Sequence, residues 1–384
     1  DDDDDDSTYR HFALCTSGQH TRYFVGVGAS LDVLRHAGLD FYAIDACHTR
    51  HYIVKGMRLH ILVARTGANH NLPIAWSLDN SERAESYAFF GQQCEKFGFR
   101  ELLDAATSAD GWARKPVAWS DGFKGVGSFC RVFKNMHHAN CGYHLANADR
   151  AYQRKEKKAG RPADVDFQNS EVYDCMYAAT EADMKTQVVS FHKSKPHAAK
   201  YLLAQPVHTW STFAMNSLCV ANYGHITSNI VEGTNGVIKK DRACHPLEFC
   251  DRMLQRIAKC FVEQKKEAEK RMEKGLSLTL FAQDKVALES RLSRANAGYQ
   301  LSSIGEFTFL VHDPFSKYRI RHTVVLDPDN PSCQPCPTFN SFRLPCRHML
   351  LAIANSEPSM LNTIEGKKKF RKHFFHPAYL LENH

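Results

Sequence analysis

Apolar and polar positions follow one another along this chain in blocks that change period from strand to helix and back. Phe41–Cys47 is a short apolar run that reads as a buried strand. Tyr52–Met57 and Leu59–Arg65 read as its antiparallel partners, and Leu72–Leu78, past the polar turn Thr66-Gly-Ala-Asn-His-Asn, as a further strand or its continuation. Ahead of them, FVGVGASLDVLRHAG ends in a short helix that Gly38 stops. From Ser81, with Glu85, apolar residues recur at Tyr87, Phe90, Cys94 and Phe97, the spacing of an amphipathic helix. Pro116–Ser120 then reads as a short buried strand, Phe123–Phe133 as a helix and His137–Cys141 as a fifth strand.

The pattern turns helical after that. Glu171–Tyr177, Glu181–His192 and His197–Leu203 carry helical spacing broken near Pro196 and Pro206, behind a basic linker, RKEKKAGRPAD, that reads as a solvated loop. Trp210, in the same region, reads as a core aromatic rather than a platform for an unpaired base. Pro246–Lys274 predicts a long helix packed by Leu247, Cys250, Leu254, Ile257 and Phe261, with late turns charged on all sides and directed to solvent or DNA. Tyr299–Val325 alternates like a hairpin that turns at Asp313-Pro314.

Two constellations carry chemistry. Asp45 and Asp121 each end an apolar, strand-like run, and Glu232 opens a helical pattern after Thr-Ser-Asn. Three carboxylates on rigid elements are what two divalent cations about 4 Å apart require. Each has a plainer reading. A strand-end Asp is often a turn residue, and Asn229-x-x-Glu232 has the form of a capping box. Asn235 and Lys239 fall on the same helical face as Glu232, which favours a site-lining face. Asp79, Glu82 and Glu85 are rival acids that sit where a helix N-terminus accepts negative charge. His48 and His51 follow Asp45 in a loop, where histidines are ordinary in a chain that has 21 of them. The second constellation is Cys333, Cys336, Cys346 and His348, the number and kind of ligands a closed tetrahedral Zn²⁺ site takes. Three buried cysteines and a surface His are the plainer reading there.

The acids and their surroundings resemble the Mutator-like element (MULE) transposases over roughly residues 37–350. The resemblance runs through RLHILVARTGANHNLPIAWSLDN after Asp45 and GFKGVGSFCRVFKNMHHANCGYHLANADR after Asp121, with its Cys141-x-x-His144 pair. Around Glu232 it takes in Ser228-Asn229, Asn235, Arg242 and Pro246-Leu247. It implies an α/β ribonuclease H-like mixed sheet with a helical insertion before the third catalytic acid, plus a small C-terminal zinc-binding unit. The Pro345-Cys346-Arg347-His348-Met349 run looks like the SWIM zinc finger that often follows such domains, with Cys-x-x-Cys in place of the usual Cys-x-Cys.

The implied layout places an acidic disordered tail and N-terminal segment in 1–36 and the catalytic core in 37–144 and 226–275. A mainly helical insertion occupies 145–225, the zinc unit 296–356 and a basic C-terminal tail 357–384. The implied activity is DNA end cleavage and strand transfer by Asp45, Asp121 and Glu232 with two Mg²⁺ or Mn²⁺ ions, one structural Zn²⁺ standing apart. Cys141, His144 and Asn235 are supporting residues whose roles stay open. The implied partners are double-stranded DNA and further copies of the chain, a homodimer or higher on DNA, in the nucleus. The alternative is a transposase-derived, DNA-binding transcription regulator without catalysis.

Composition changes this picture little. A chain of 384 residues exceeds one ordinary domain, its 43% apolar content fills sizeable cores, and no apolar run is long enough for a membrane span. A net charge of +7 with 21 His suits a phosphate backbone. Thirteen Cys, several in metal-like spacings and the rest scattered, fit a reducing compartment. The six opening Asp residues, without a Met, read as the disordered start of a fragment that lacks the family's N-terminal DNA-binding module.

Overall fold

The computed structural model describes residues 11–17, 20–108, 115–122, 125–295, 298–314 and 321–384. The chain is mixed α/β. Its first part forms β1 (His11–Ser17), β2 (His20–Gly26), α1 (Gly28–Ala37), β3 (Gly38–His48), β4 (Arg58–Thr66), β5 (Asn71–Asp79), α2 (Ala84–Lys96) and α3 (Phe99–Ser108). β6 (Val117–Ser120), α4 (Val126–Cys130) and β7 (His137–Asn140) follow. These strands make one seven-stranded sheet in the order β1-β2-β5-β4-β3-β6-β7. Pairing is antiparallel from β1 to β3 and parallel from β3 to β7. β3 is a central strand: Leu39 to Ile44 are buried on both faces, and past them the strand opens at Asp45, Ala46 and His48.

Several elements differ from the sequence reading, each for a local reason. β1 and β2 extend the sheet from the stretch read as a disordered tail and N-terminal segment, and the first ten residues lie outside the described ones. Tyr52–Met57 is not a strand. The β3–β4 register pairs His48 with Arg58, so the residues between form the connecting loop, with Tyr52–Val54 a 3-10 turn whose Tyr52 and Ile53 face solvent. The helix expected over Phe123–Phe133 is only α4, and residues 123–124 lie outside the described ones.

Between β7 and the segment of Glu232 stand α5 (Gly142–Lys158), α6 (Asn169–Tyr177), α7 (Glu181–Ser194), α8 (Pro196–Leu203) and α9 (Thr212–Ser217). α6 starts at a Gln168–Glu171 capping box and α7 at Thr180, whose hydroxyl accepts from the Asp183 amide. Phe167, Met176, Phe191, Leu202 and Trp210 fill this lobe, and Trp210 is the core residue expected. Half of the basic linker is helical rather than loop, since α5 continues to Lys158. Gly142 lets α5 start against α6, because a Cβ there would lie 2.7 Å from Met176 Sδ.

α10 (Asn229–Val237) leads to α11 (Pro246–Glu273) and α12 (Leu280–Ala295). The buried stripe of α11 is Phe249, Met253, Ile257, Gln264, Ala268 and Arg271, rotated from the expected one, and Leu247 is 75% exposed. Its late turns are packed rather than free: Arg271 donates to the Leu278 carbonyl and to Gln283 Oε1.

A second, antiparallel sheet holds β8 (Gln300–Ser303), β9 (Thr308–His312), β10 (Arg321–Val325) and β11 (Ser332–Gln334) in the order β11-β10-β9-β8. Tyr318 and Ile320, read as strand residues, lie outside the described residues. α13 (Pro337–Phe342), α14 (Arg347–Ser356), α15 (Ser359–Asn362) and α16 (Ile364–Phe374) complete the chain. Residues 357–384 are folded rather than a tail. Phe370, Phe374, Phe375 and Tyr379 are buried, while Lys367, Lys368, Lys369 and Lys372 face out. His376 pairs with buried Asp40 of β3 at 3.7 Å, and Tyr379 Oη donates to the Phe342 carbonyl at 2.9 Å. Among the described residues, no helix is long and apolar enough to cross a membrane.

Candidate active site and metal centre

The parallel register that pairs Ala43 with Trp119 brings Asp45, near the end of β3, level with Asp121, the first residue past β6. Asp45 Oδ1 accepts from the Ala46 amide at 2.9 Å and Oδ2 from Asn235 Nδ2 at 2.7 Å. Burial and then the Asp121 charge push the Asp45 carboxyl up to about 7, and Glu232 adds to the rise. The Ala46 amide and His144 oppose it. Carboxylates crowded at a sheet end are a condition a divalent cation relieves.

Glu232 comes from the first turn of α10, a helix tied to the sheet by Asn71 Nδ2, which donates to the Ile230 carbonyl at 3.0 Å. The capping box does not form. Ser228 is the N-cap, and Glu232 Oε1 accepts from Ser228 Oγ at 2.8 Å. Asn235, one turn on, shares the face of Glu232 and reaches Asp45. Lys239 lies past the helix end and is exposed. The three acids adjoin without closing on one point. Among the described residues, Glu232 gathers instead with Cys141 and His144, their ligand atoms all within 4.8 Å of one another.

Cys141 is the N-cap of α5, directly after β7, and its amide donates to the Ser120 carbonyl at 2.7 Å, beside Asp121. Its Sγ lies 4.0 Å from Glu232 Oε1, and His144 Nδ1 lies 3.6 Å from the same oxygen. Burial raises the Cys141 thiol, yet hydrogen bonds from His144 and Ser228 bring it below its usual value. The Cys141 sulfur and the nearby acids lift His144 to about 9.

The C-terminal cluster is buried and compact. Cys333 stands on β11, Cys336 is the N-cap of α13, Cys346 the N-cap of α14, and His348 is in the first turn of α14. Their ligand atoms lie within 4.8 Å of one another, with His348 Nδ1 3.7 Å from the sulfurs of both Cys333 and Cys346. This Cys₃His set is able to hold a zinc ion. Asp313, just past β9, meets His348 Nε2 at 3.3 Å, which leaves Nδ1 aimed at the sulfurs. His322 of β10 stacks on His348 with ring centroids 3.7 Å apart. Buried Glu289 of α12 accepts from the Arg347 amide at 2.9 Å and so pins the start of α14.

The other candidates have structural partners. Asp79 pairs with Arg22 at 2.8 Å, and Glu85 lies in the first turn of α2. His48 Nδ1 meets Arg58, and His51 Nδ1 accepts from the Ile53 amide. Glu82, expected to complement a helix N-terminus, has its carboxyl raised by burial and the Asp121 charge, and Arg58 and Tyr87 hold it. His138, not singled out in the sequence, bonds Ser120 Oγ at 2.8 Å beneath Asp121. Asp313 and His322 were equally silent, since neither has ligand spacing to the cysteines. No family model matches the chain, and no curated protein matches it.

Proposed function

We propose that this chain is a DNA transposase of the MULE type, a metal-dependent nuclease and strand transferase on a ribonuclease H-like fold. The observation that carries the reading is the placement of Asp45, Asp121 and Glu232 at one end of the sheet, where Asp45 feels both other charges. Three antiparallel strands, β5-β4-β3, continued by two parallel ones, β6-β7, support the fold assignment, as does a helical lobe between the second and third acids. Asp45, Asp121 and Glu232 would hold two Mg²⁺ or Mn²⁺ ions. When bound, such a pair activates a water for attack on a phosphodiester and stabilises the departing 3′ oxygen. The chain's own residues fix this geometry: Asn235 and the Ala46 amide set the Asp45 carboxylate, and Ser228 sets that of Glu232. The Cys₃His cluster would hold the structural Zn²⁺ of a SWIM-like finger. Exposed Arg154, Lys155, Lys157 and Lys158 on α5 offer a phosphate backbone a positive rim.

The reading as a DNA-binding regulator without catalysis takes its support from Glu232, whose Oε1 is turned to Cys141 and His144. A labelled oligonucleotide with a free 3′-OH, incubated with supercoiled plasmid and Mn²⁺, separates the two. Joined product is the outcome expected here, and binding without nicking or joining selects the regulator.

A further inference from the structure

Cys141-x-x-His144 is half a metal site in the sequence. The fold supplies a third ligand 91 positions away from Cys141, at Glu232. We propose that Cys141 Sγ, His144 Nδ1 and Glu232 Oε1 form a second site for a thiophilic divalent cation, best matched by Zn²⁺, with a fourth position open to water or a phosphate oxygen.

The geometry is close to what zinc needs. Tetrahedral bonds of about 2.0–2.3 Å place ligand atoms about 3.3–3.7 Å apart. Here nitrogen and oxygen are 3.6 Å apart and sulfur and oxygen 4.0 Å, so side-chain rotations of a few tenths of an ångström close the site. The backbone behind it is fixed. The Cys141 amide donates to Ser120 and the Gly142 amide to Ile226, both at 2.7 Å, and Ser228 Oγ holds the Glu232 oxygen. A cavity of 410 Å³ lined by Tyr143, Tyr173, Tyr177 and Asn229 reaches the site at Glu232. The sulfur decides selectivity, since Mg²⁺ prefers oxygen ligands and Zn²⁺ accepts thiolate.

One carboxylate is then shared by two demands. Zinc on Cys141 and His144 draws Glu232 away from Asp45 and Asp121, so zinc inhibits Mg²⁺-dependent cleavage. This consequence rests on the proposed function, whereas the binding step rests on the geometry alone.

The test uses the full chain with its C-terminal cluster already filled with zinc. After equilibration with excess Zn²⁺ and desalting, metal analysis is expected to find two zinc ions per chain in the wild type and one in Cys141→Ser and His144→Ala. Co²⁺ added to the one-zinc protein should give a sulfur-to-cobalt band in the near ultraviolet that Cys141→Ser loses. Glu232→Gln should keep that band with affinity weaker by at least about 10-fold, and Asp121→Asn should leave it unchanged. One zinc ion in the wild type, or a second ion and a band indifferent to Cys141→Ser and His144→Ala, overturns the site. Should Cys141→Ser fail to fold, His144→Ala, whose ring is 33% exposed, carries the same test. No DNA enters these measurements, so a chain without nuclease activity leaves their outcome intact. Zinc inhibition that persists in His144→Ala would remove the regulatory consequence.

Discussion

Asn235 Nδ2 donates to Asp45 Oδ2 at 2.7 Å across 190 residues of sequence, joining α10 to the end of β3. The bond fixes the helix that carries Glu232 against the strand that carries Asp45. It also leaves Asp45 Oδ2 oriented rather than free to rotate. Asn235→Ala should lower DNA cleavage about 10-fold, the size of effect seen when an orienting partner of a metal ligand is lost. Its melting temperature should stay close to that of the wild type, because Asn235 is only half-buried. Asn235→Asp should be worse, since it sets a like charge on an already raised carboxyl. Parallel cleavage rates and thermal melts check both.

Asp149 of α5 makes the stability of the helical lobe depend on pH. Its side chain is buried, with one oxygen bonded by Gln153 Nε2 at 3.0 Å, and burial pushes its carboxyl up to about 7. The folded state therefore binds the proton more tightly than the unfolded chain, whose Asp titrates near 4. That stability is full below pH 4 and is lost as pH rises through about 7. Asp149→Asn should match the wild type near pH 4 and exceed it by about 1–2 kcal/mol at pH 8, after discounting for solvent screening. Urea melts at the two pH values measure the difference, and equal gaps at both would contradict it.

Cys346→Ser should remove the zinc from the C-terminal cluster and with it folding free energy on the order of 10 kcal/mol. The loss should not stay local. Glu289 holds the Arg347 amide, the Tyr223 amide donates to the Ser341 carbonyl at 2.8 Å, and Tyr379 bonds Phe342. Through these ties the sheet domain should melt earlier as well. Calorimetry showing an unshifted main transition after zinc is chelated would contradict the coupling.

Long, strongly periodic elements were legible in the sequence, and so were residues whose chemistry is unusual for their surroundings. The buried run of β3 and the four residues of the Cys₃His cluster are of this kind. What escaped depends on partners distant in sequence. β2 carries no alternation of its own and becomes a strand by pairing with β5. The stripe of α11 differs from the expected one because apolar Phe249 and Met253 take the buried face at a competing spacing. Gln264 and Arg271 add to the difference, since they are buried through hydrogen bonds and packing, which hydrophobic spacing does not register. Residues 357–384 looked like a basic tail because their lysines are adjacent in sequence, while the burying face of α16 shows only as Phe370 and Phe374. At the candidate site, the acids stood out by position, but the third ligand beside Cys141 and His144 needed the fold.

Cleavage of a labelled DNA duplex by the full chain in Mg²⁺ or Mn²⁺ tests the central claim most directly. Wild-type protein should cut the DNA only when the divalent ion is present. Asp45→Asn, Asp121→Asn and Glu232→Gln should each fall to background while still binding DNA and melting as folded proteins, since each removes one ligand charge and leaves the shape. Cleavage by Glu232→Gln at the wild-type rate would contradict the three-acid site, and DNA binding by the wild type without any metal-dependent cut would contradict the enzyme.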